Sequence, residues 1–264
     1  MSLALDQRTL KTILIPLEHG AWGFLIEGVL AGLMLNPSIN SLILTVDIAL
    51  VFFGGQAFRY YLGSYQKRQI DHRVNLALLL SAILILLAAL LFILLKQFYT
   101  STIMSVIGVG SVLLMVQILI SQIWGRKSIL AELLGAGVLG IVASAMLCTK
   151  NYSQFLIYSV WGLLALRAIT SVIYVRHQLR KSLGRPYSKK VVIGLHVLML
   201  CIIVYLVEIE KVFSVEVLVG VFMLFIRAIW GITQKIKQTP KQIGVSEIIW
   251  GVIYVFIVVK AFHV

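Results

Sequence analysis

Apolar runs long enough to cross a bilayer, separated by short polar connections, occupy almost the whole chain. A helix rises about 1.5 Å per residue, so a run of about 20 apolar residues crosses the hydrocarbon core. Runs of this kind are read near 14–35, 41–63, 76–95, 100–121, 129–148, 153–174, 190–209, 213–232 and 244–262. The pattern predicts an all-α, polytopic transmembrane helix bundle of about nine spans, in a single integral membrane domain over 1–264. No internal repeat, long linker or low-complexity tract interrupts it.

The connections alternate in charge. NPSIN, KQFYT, TKNYS and EIEK carry few cations, whereas SYQKRQIDHR, QIWGRKS, RHQLRKSLGRPYSKK and TQKIKQTPKQ are basic. The positive-inside rule then places the N-terminus and the basic loops inside and the C-terminus outside. The polar start MSLALDQRTLK and the charge around residue 18 are unlike a signal-peptide core, so the first run is expected to be a retained span.

Composition agrees with the pattern. In 264 residues, 60% are hydrophobic and 12% are charged, with Lys+Arg 23 against Asp+Glu 10. The mean hydropathy is +1.00. So little polar surface cannot cover a water-soluble fold, but lipid is a fitting solvent for it. The net charge of +13 is read as positive-inside bias and as contact with anionic lipid headgroups rather than with nucleic acid. Cys148 and Cys201 stand in apolar runs and read as small buried hydrophobes, not as a disulfide or metal pair.

Function must reside in the polar residues within or beside the spans. Glu18, His19, Gln56, Arg59, Glu132, Arg167, Tyr174, Arg227 and Glu247 all fall in the inner halves of their runs. Ionisable groups at membrane depth are costly, so they face the bundle interior or snorkel to its edge. In PLEHGAWG, Pro16 suits a first helical turn, Glu18 shares a face with Trp22, and His19 stands beside Glu18 as a proton donor or phosphate contact. In the second run Gly55, Gln56 and Arg59 share a face, with a close helix contact expected at the glycines. Arg167, Thr170, Ser171 and Tyr174 form a polar stripe at i, i+3, i+4 and i+7, and Arg176 and Arg180 fall on other faces as headgroup contacts. Arg227, Trp230 and Gln234 align in the eighth run, and Glu247, Trp250 and Tyr254 in the ninth. Glu247 is the expected counter-ion for Arg227 or Arg167. Walker A, HExxH, GxSxG and CxxC motifs do not occur.

PLEHGAW at 16–22, LRAITSVIYVRHQLRKSLGRP at 166–186 and PKQIGVSEIIWG at 240–251 resemble the YwiC-like family of bacterial membrane proteins. That resemblance implies a multi-pass protein of a bacterial cytoplasmic membrane and no particular reaction. The chain is also distantly similar to the UbiA superfamily of intramembrane prenyltransferases, which implies a UbiA-like topology. In that superfamily, Asp-rich motifs after spans two and six hold Mg²⁺ and a prenyl diphosphate. Here the first region keeps Asp71 as its sole acid, and the second, RHQLRKSLGRP, has none. Mg²⁺ is therefore expected only under the prenyltransferase alternative, and otherwise no cofactor is predicted.

The leading expectation is binding of a lipid or isoprenoid phosphate in an inward-facing intramembrane cavity. His19, Gln56, Arg59, Arg167, Ser171, Tyr174 and Arg227 would be its ligand contacts, and Glu18 or Glu247 a general base if it is catalytic. A Mg²⁺-dependent prenyltransferase, a small-anion transporter and a non-catalytic assembly partner are the alternatives. A cavity walled by Arg167 favours the first. Mutual satisfaction of Arg167, Arg227 and Glu247 without a cavity favours the last.

Overall fold

The computed structural model describes residues 7–16, 19–66, 68, 71–125, 128–234 and 238–262, with the backbone alone of residues 7, 8 and 19. Among these all regular structure is helical: α1 Gln7–Leu14, α2 His19–Leu35, α3 Ile39–Gln66, α4 His72–Leu95, α5 Thr102–Ile123, α6 Ile129–Leu147, α7 Gln154–Ser182, α8 Lys189–Val204, α9 Val215–Thr233 and α10 Pro240–Lys260. A 3₁₀ turn, Lys96–Phe98, extends α4, and a widened π-type turn, Tyr205–Ile209, extends α8. Eight helices are long and apolar enough to span, and Gly20–Leu35 is a shorter apolar helix. The protein is thus an all-α, multi-pass membrane protein of about nine spans.

The first run differs from its expected form. Instead of one span over 14–35, a short α1 ends at Leu14 and α2 starts at His19. Pro16 lies before α2 rather than in its first turn, and Glu18 lies outside the described residues.

Helix starts follow local chemistry. Asp71, Ser128, Ser153, Ser188 and Thr239 cap α4, α6, α7, α8 and α10 by accepting a hydrogen bond from a backbone N–H three residues on. Thr239 and Gln242 complete a reciprocal capping box, with Pro240 in the first turn of α10. Helix α7 runs two turns beyond the expected boundary at 174, because Arg180 and Lys181 suit a helix C-terminus. It stops where Gly184 takes a left-handed φ of 66°.

The chain packs as two compact units: residues 1–18 with 38–99, and residues 19–37 with 100–264. In unit 1, α3 and α4 form a helical hairpin, and Ile13 of α1 is buried against Ala57 and Ala77. Gly54, not Gly55, makes the close helix contact, against Leu84 and Ile85 of α4. Gln56 and Arg59 are half-buried on α3.

In unit 2, α2 packs on α6 and α10, α7 on α6 and α8, and α9 on α8 and α10. Lipid tails are as apolar as leucine, so these helices associate through close packing and buried polar contacts rather than hydrophobic exclusion. Helix α6 supplies a small-residue face through Ala131, Ala136, Gly140, Ala143 and Ser144. Near the α7 start, Asn36 Nδ2 donates to Met146 O at 2.9 Å, and Tyr152 Oη donates to Leu35 O at 2.9 Å. Above this lies an apolar core including Leu163, Met199, Ile203, Val221, Leu224 and Val258. Cys148 is buried at the end of α6, but Cys201, expected inside, faces outward from α8.

Candidate functional site

The polar centre of unit 2 is built on four helices. Arg167 lies halfway along α7, about 20 Å from Lys181 at a rise of about 1.5 Å per residue. Its Nη2 meets Glu27 Oε1 of α2 at 3.0 Å and donates to the backbone oxygen of Glu247 on α10 at 3.0 Å. Arg227 of α9 pairs with Glu247 Oε1, and Ser171 Oγ donates to Glu247 Oε2 at 2.5 Å. Two guanidiniums and two carboxylates therefore form a neutral quartet, each residue less than a tenth exposed. At membrane depth such neutrality is what makes four ionised groups tolerable.

Aromatic rings cover the cations. Arg227 Cζ stands 3.9 Å from the Tyr174 ring centroid, and Arg167 Cζ stands 5.6 Å from that of Phe24. Arg167 Nε and Nη1 and Arg227 Nε have no hydrogen-bond partner among the described residues. Buried His196 of α8, whose Nδ1 lies 2.9 Å from Val192 O, is within electrostatic reach of Arg227 and Glu247.

Two glycines set how closely the helices approach. A β-carbon on Gly251 of α10 would fall on the Glu27 carboxylate and the Arg167 guanidinium. One on Gly231 of α9 would fall on the Tyr174 hydroxyl and the Gln178 amide. Glycine at these positions lets polar side chains of α2 and α7 lie against neighbouring backbone.

The expected stripe on α7 is longer than the sequence suggested. Arg167, Ser171, Tyr174, Gln178 and Lys181 follow spacings of four, three, four and three, and the first four are buried. Thr170, counted in that stripe, bonds back to Arg167 O at 2.9 Å. Facing α7, the α9 register is Arg227, Gly231 and Gln234; Trp230 instead points outward, 59% exposed. Lys181 Nζ donates to Gly231 O at 3.1 Å and to Gln234 O, capping the C-terminus of α9.

Beside Glu27, a fissure of about 170 Å³ between α2, α6 and α7 has no interior space for a water molecule. A roomier cleft of about 520 Å³ opens at the basic end, among Lys181, Arg185, Tyr187, Lys189 and Gln234. The N-terminus of α8 starts at this cleft. The Tyr187 ring packs edge-on against buried His177, with centroids 4.4 Å apart, which ties the loop to α7. Arg176 Nε pairs with Glu132 Oε2 at 2.7 Å, so it serves a neighbouring helix as well as any headgroup. Arg180 is exposed.

Arg167, Ser171, Tyr174, Arg227 and Glu247 thus converge, whereas Gln56 and Arg59 belong to unit 1. The side chain of His19, like Glu18, lies outside what is described. Sequence reasoning missed Glu27, His196 and Gln178. The signal for Glu27 was present, as a lone acid within the apolar run GFLIEGVLAG. Asp71 Oδ1 accepts from Val74 N at 3.1 Å as a helix cap, and no three His, Cys, Asp or Glu side chains converge as a metal site among the described residues.

The profile of YwiC-like proteins matches residues 15–149, just over half of the chain. The chain belongs to the YwiC-like family. The matched segment includes PLEHGAW and the helices α2 to α6; the other two family-like stretches lie beyond it. Comparison with curated proteins finds no match, and comparison with solved structures finds none.

Proposed function

We propose that this YwiC-like protein binds the phosphate of a membrane lipid or isoprenoid at the basic end of unit 2, on the cytoplasmic side of a bacterial inner membrane. The observation that carries this reading is the 520 Å³ cleft in which Lys181, Arg185 and Lys189 converge beside the α8 N-terminus. Cations and unpaired helical N–H groups both favour phosphate oxygens. The volume is in the range of a small-ligand site, and lipid lies beside it for the tail.

The quartet has a different part in this reading. Arg167 and Arg227 already face carboxylates, and the fissure beside Glu27 has no room for phosphate. They hold α2, α7, α9 and α10 together as a rigid neutral floor. The α7 polar stripe connects that floor to the cleft, through Tyr174, Gln178 and Lys181. Direct contact between phosphate and Arg227 would require Glu247 to release it. Both Glu247 oxygens are engaged, so a general-base role for Glu247 has the same requirement.

The closed quartet also supports a second reading, a non-catalytic membrane scaffold whose basic loops dock a partner. Native mass spectrometry from lipid nanodiscs separates the two. The wild type should retain a phosphate-bearing lipid that a Lys181→Gln/Arg185→Gln/Lys189→Gln variant loses. Identical lipid profiles for both proteins would sink the phosphate reading.

A further inference from the structure

Unit 1 has a buried acid of its own, Asp47. Asp47 lies two turns into α3, in the run ILTVDIALV, and is 6% exposed. It stands seven residues before Gly54, where α4 comes closest, and so shares the α4-facing side of α3. Its Oδ1 has no hydrogen-bond partner, and among the described residues no ion pair includes it. Glu27 and Glu247, the other buried acids among the described residues, each meet an arginine.

The described groups of unit 1 place no cation beside Asp47. On α4 and its extension, His72 and Arg73 stand at the far end, and Lys96 is exposed. Lys11 is exposed on α1, which packs near Ala57, about 15 Å farther along α3. Arg59 is farther still along α3. Tyr99, just past the end of α4, is within electrostatic reach; its ring stacks on Phe92 at 4.9 Å, and its buried hydroxyl has no partner among the described residues. Burial, and then the nearby Asp47 carboxylate, push that phenol up to about 12, so it keeps its proton and adds no positive charge.

A carboxylate at membrane depth with no cation beside it is costly unless it gains a proton or a bound cation. We propose that Asp47 is the ligand of an intramembrane site for a small monovalent cation, a proton or a sodium ion. The two candidates share the same oxygen chemistry and differ in what displaces them. This site is independent of the phosphate cleft.

Dicyclohexylcarbodiimide tests it on the full-length protein in nanodiscs. The reagent dissolves in lipid and takes the acid's proton onto one of its nitrogens. The carboxylate oxygen then adds to its central carbon, and the adduct rearranges to a stable N-acylurea that peptide mass spectrometry detects. Asp47 should be labelled several-fold more than the arginine-paired Glu27 and Glu247, and Asp47→Asn should lose that label. Suppression by sodium chloride but not choline chloride identifies sodium. Labelling that falls with rising pH and is equal in the two salts identifies the proton. An unlabelled Asp47, labelling no greater than at Glu247, or labelling indifferent to both pH and sodium would overturn the proposal.

Discussion

Replacing Glu27 with glutamine keeps its shape and removes the charge facing Arg167. At 3.0 Å, with both side chains at most 4% exposed, the pair attracts strongly. An effective dielectric of about 20 gives a gross attraction of roughly 5–6 kcal/mol. Desolvation of both ions offsets most of that, so the pair contributes little net stability compared with two neutral groups. Removing one partner is different, because it leaves a buried guanidinium uncompensated, at a cost of about 3–5 kcal/mol. Glu27→Gln should therefore unfold about 3–5 kcal/mol more easily than wild type. Arg167→Gln should cost at least as much, since the bond to Glu247 O is lost too. The Glu27→Gln/Arg167→Gln protein should be less destabilised than the two single costs summed, by about 2–3 kcal/mol. Reversible unfolding in mixed micelles, followed by tryptophan fluorescence, reads all four corners of the cycle. Additive single costs, or a Glu27→Gln protein within about 0.5 kcal/mol of wild type, would refute the buried pair.

Gly251→Ala and Gly231→Ala should each destabilise by about 1–3 kcal/mol in the same assay, because the new methyl displaces the Glu27–Arg167 pair or the Tyr174–Gln178 contact. Gly194→Ala, with open space around its β-carbon, should change stability little; equal effects at all three positions would contradict the packing described. If Asp71 serves only as a helix cap, Asp71→Ala should cost about 1 kcal/mol and Asp71→Ser much less. Loss of Mg²⁺-dependent activity in Asp71→Ser, with stability intact, would instead restore the prenyltransferase alternative.

Much of the architecture could be read from the chain because its causes are local. A serine, threonine or aspartate caps α3, α4, α6, α7, α8 and α10, and uninterrupted apolar length specifies a span wherever neighbours lie. Local pattern failed where packing or charge decided. The chain breaks at Ile15–Pro16 within the first apolar run, and the basic residues after Tyr174 continue α7 although they read as a loop. The α7 stripe was visible as far as Tyr174 because its spacing is helical, and Gln178 and Lys181 were lost with the misplaced boundary. Arg227 and Glu247 were foreseeable as opposite charges at similar depth. Glu27 could be seen as a lone acid in an apolar run, but its partnership with Arg167 depends on α2 packing against α7 and α10, which no spacing encodes. The basic cleft, too, arises only when the loop after α7 folds against the end of α9.

The proposed function rests on recognition of a phosphate at the basic end of unit 2. The most direct measurement is the melting temperature of the purified protein titrated with an isoprenyl monophosphate, beside the corresponding isoprenyl alcohol. Binding to the folded state alone should add about 2.7 kcal/mol at 100 times Kd, a shift readily seen in a melt. Stabilisation by the phosphate, little by the alcohol, and loss of the effect in the Lys181→Gln/Arg185→Gln/Lys189→Gln variant are expected. Equal stabilisation by the alcohol, or an unchanged phosphate effect in that variant, would contradict it.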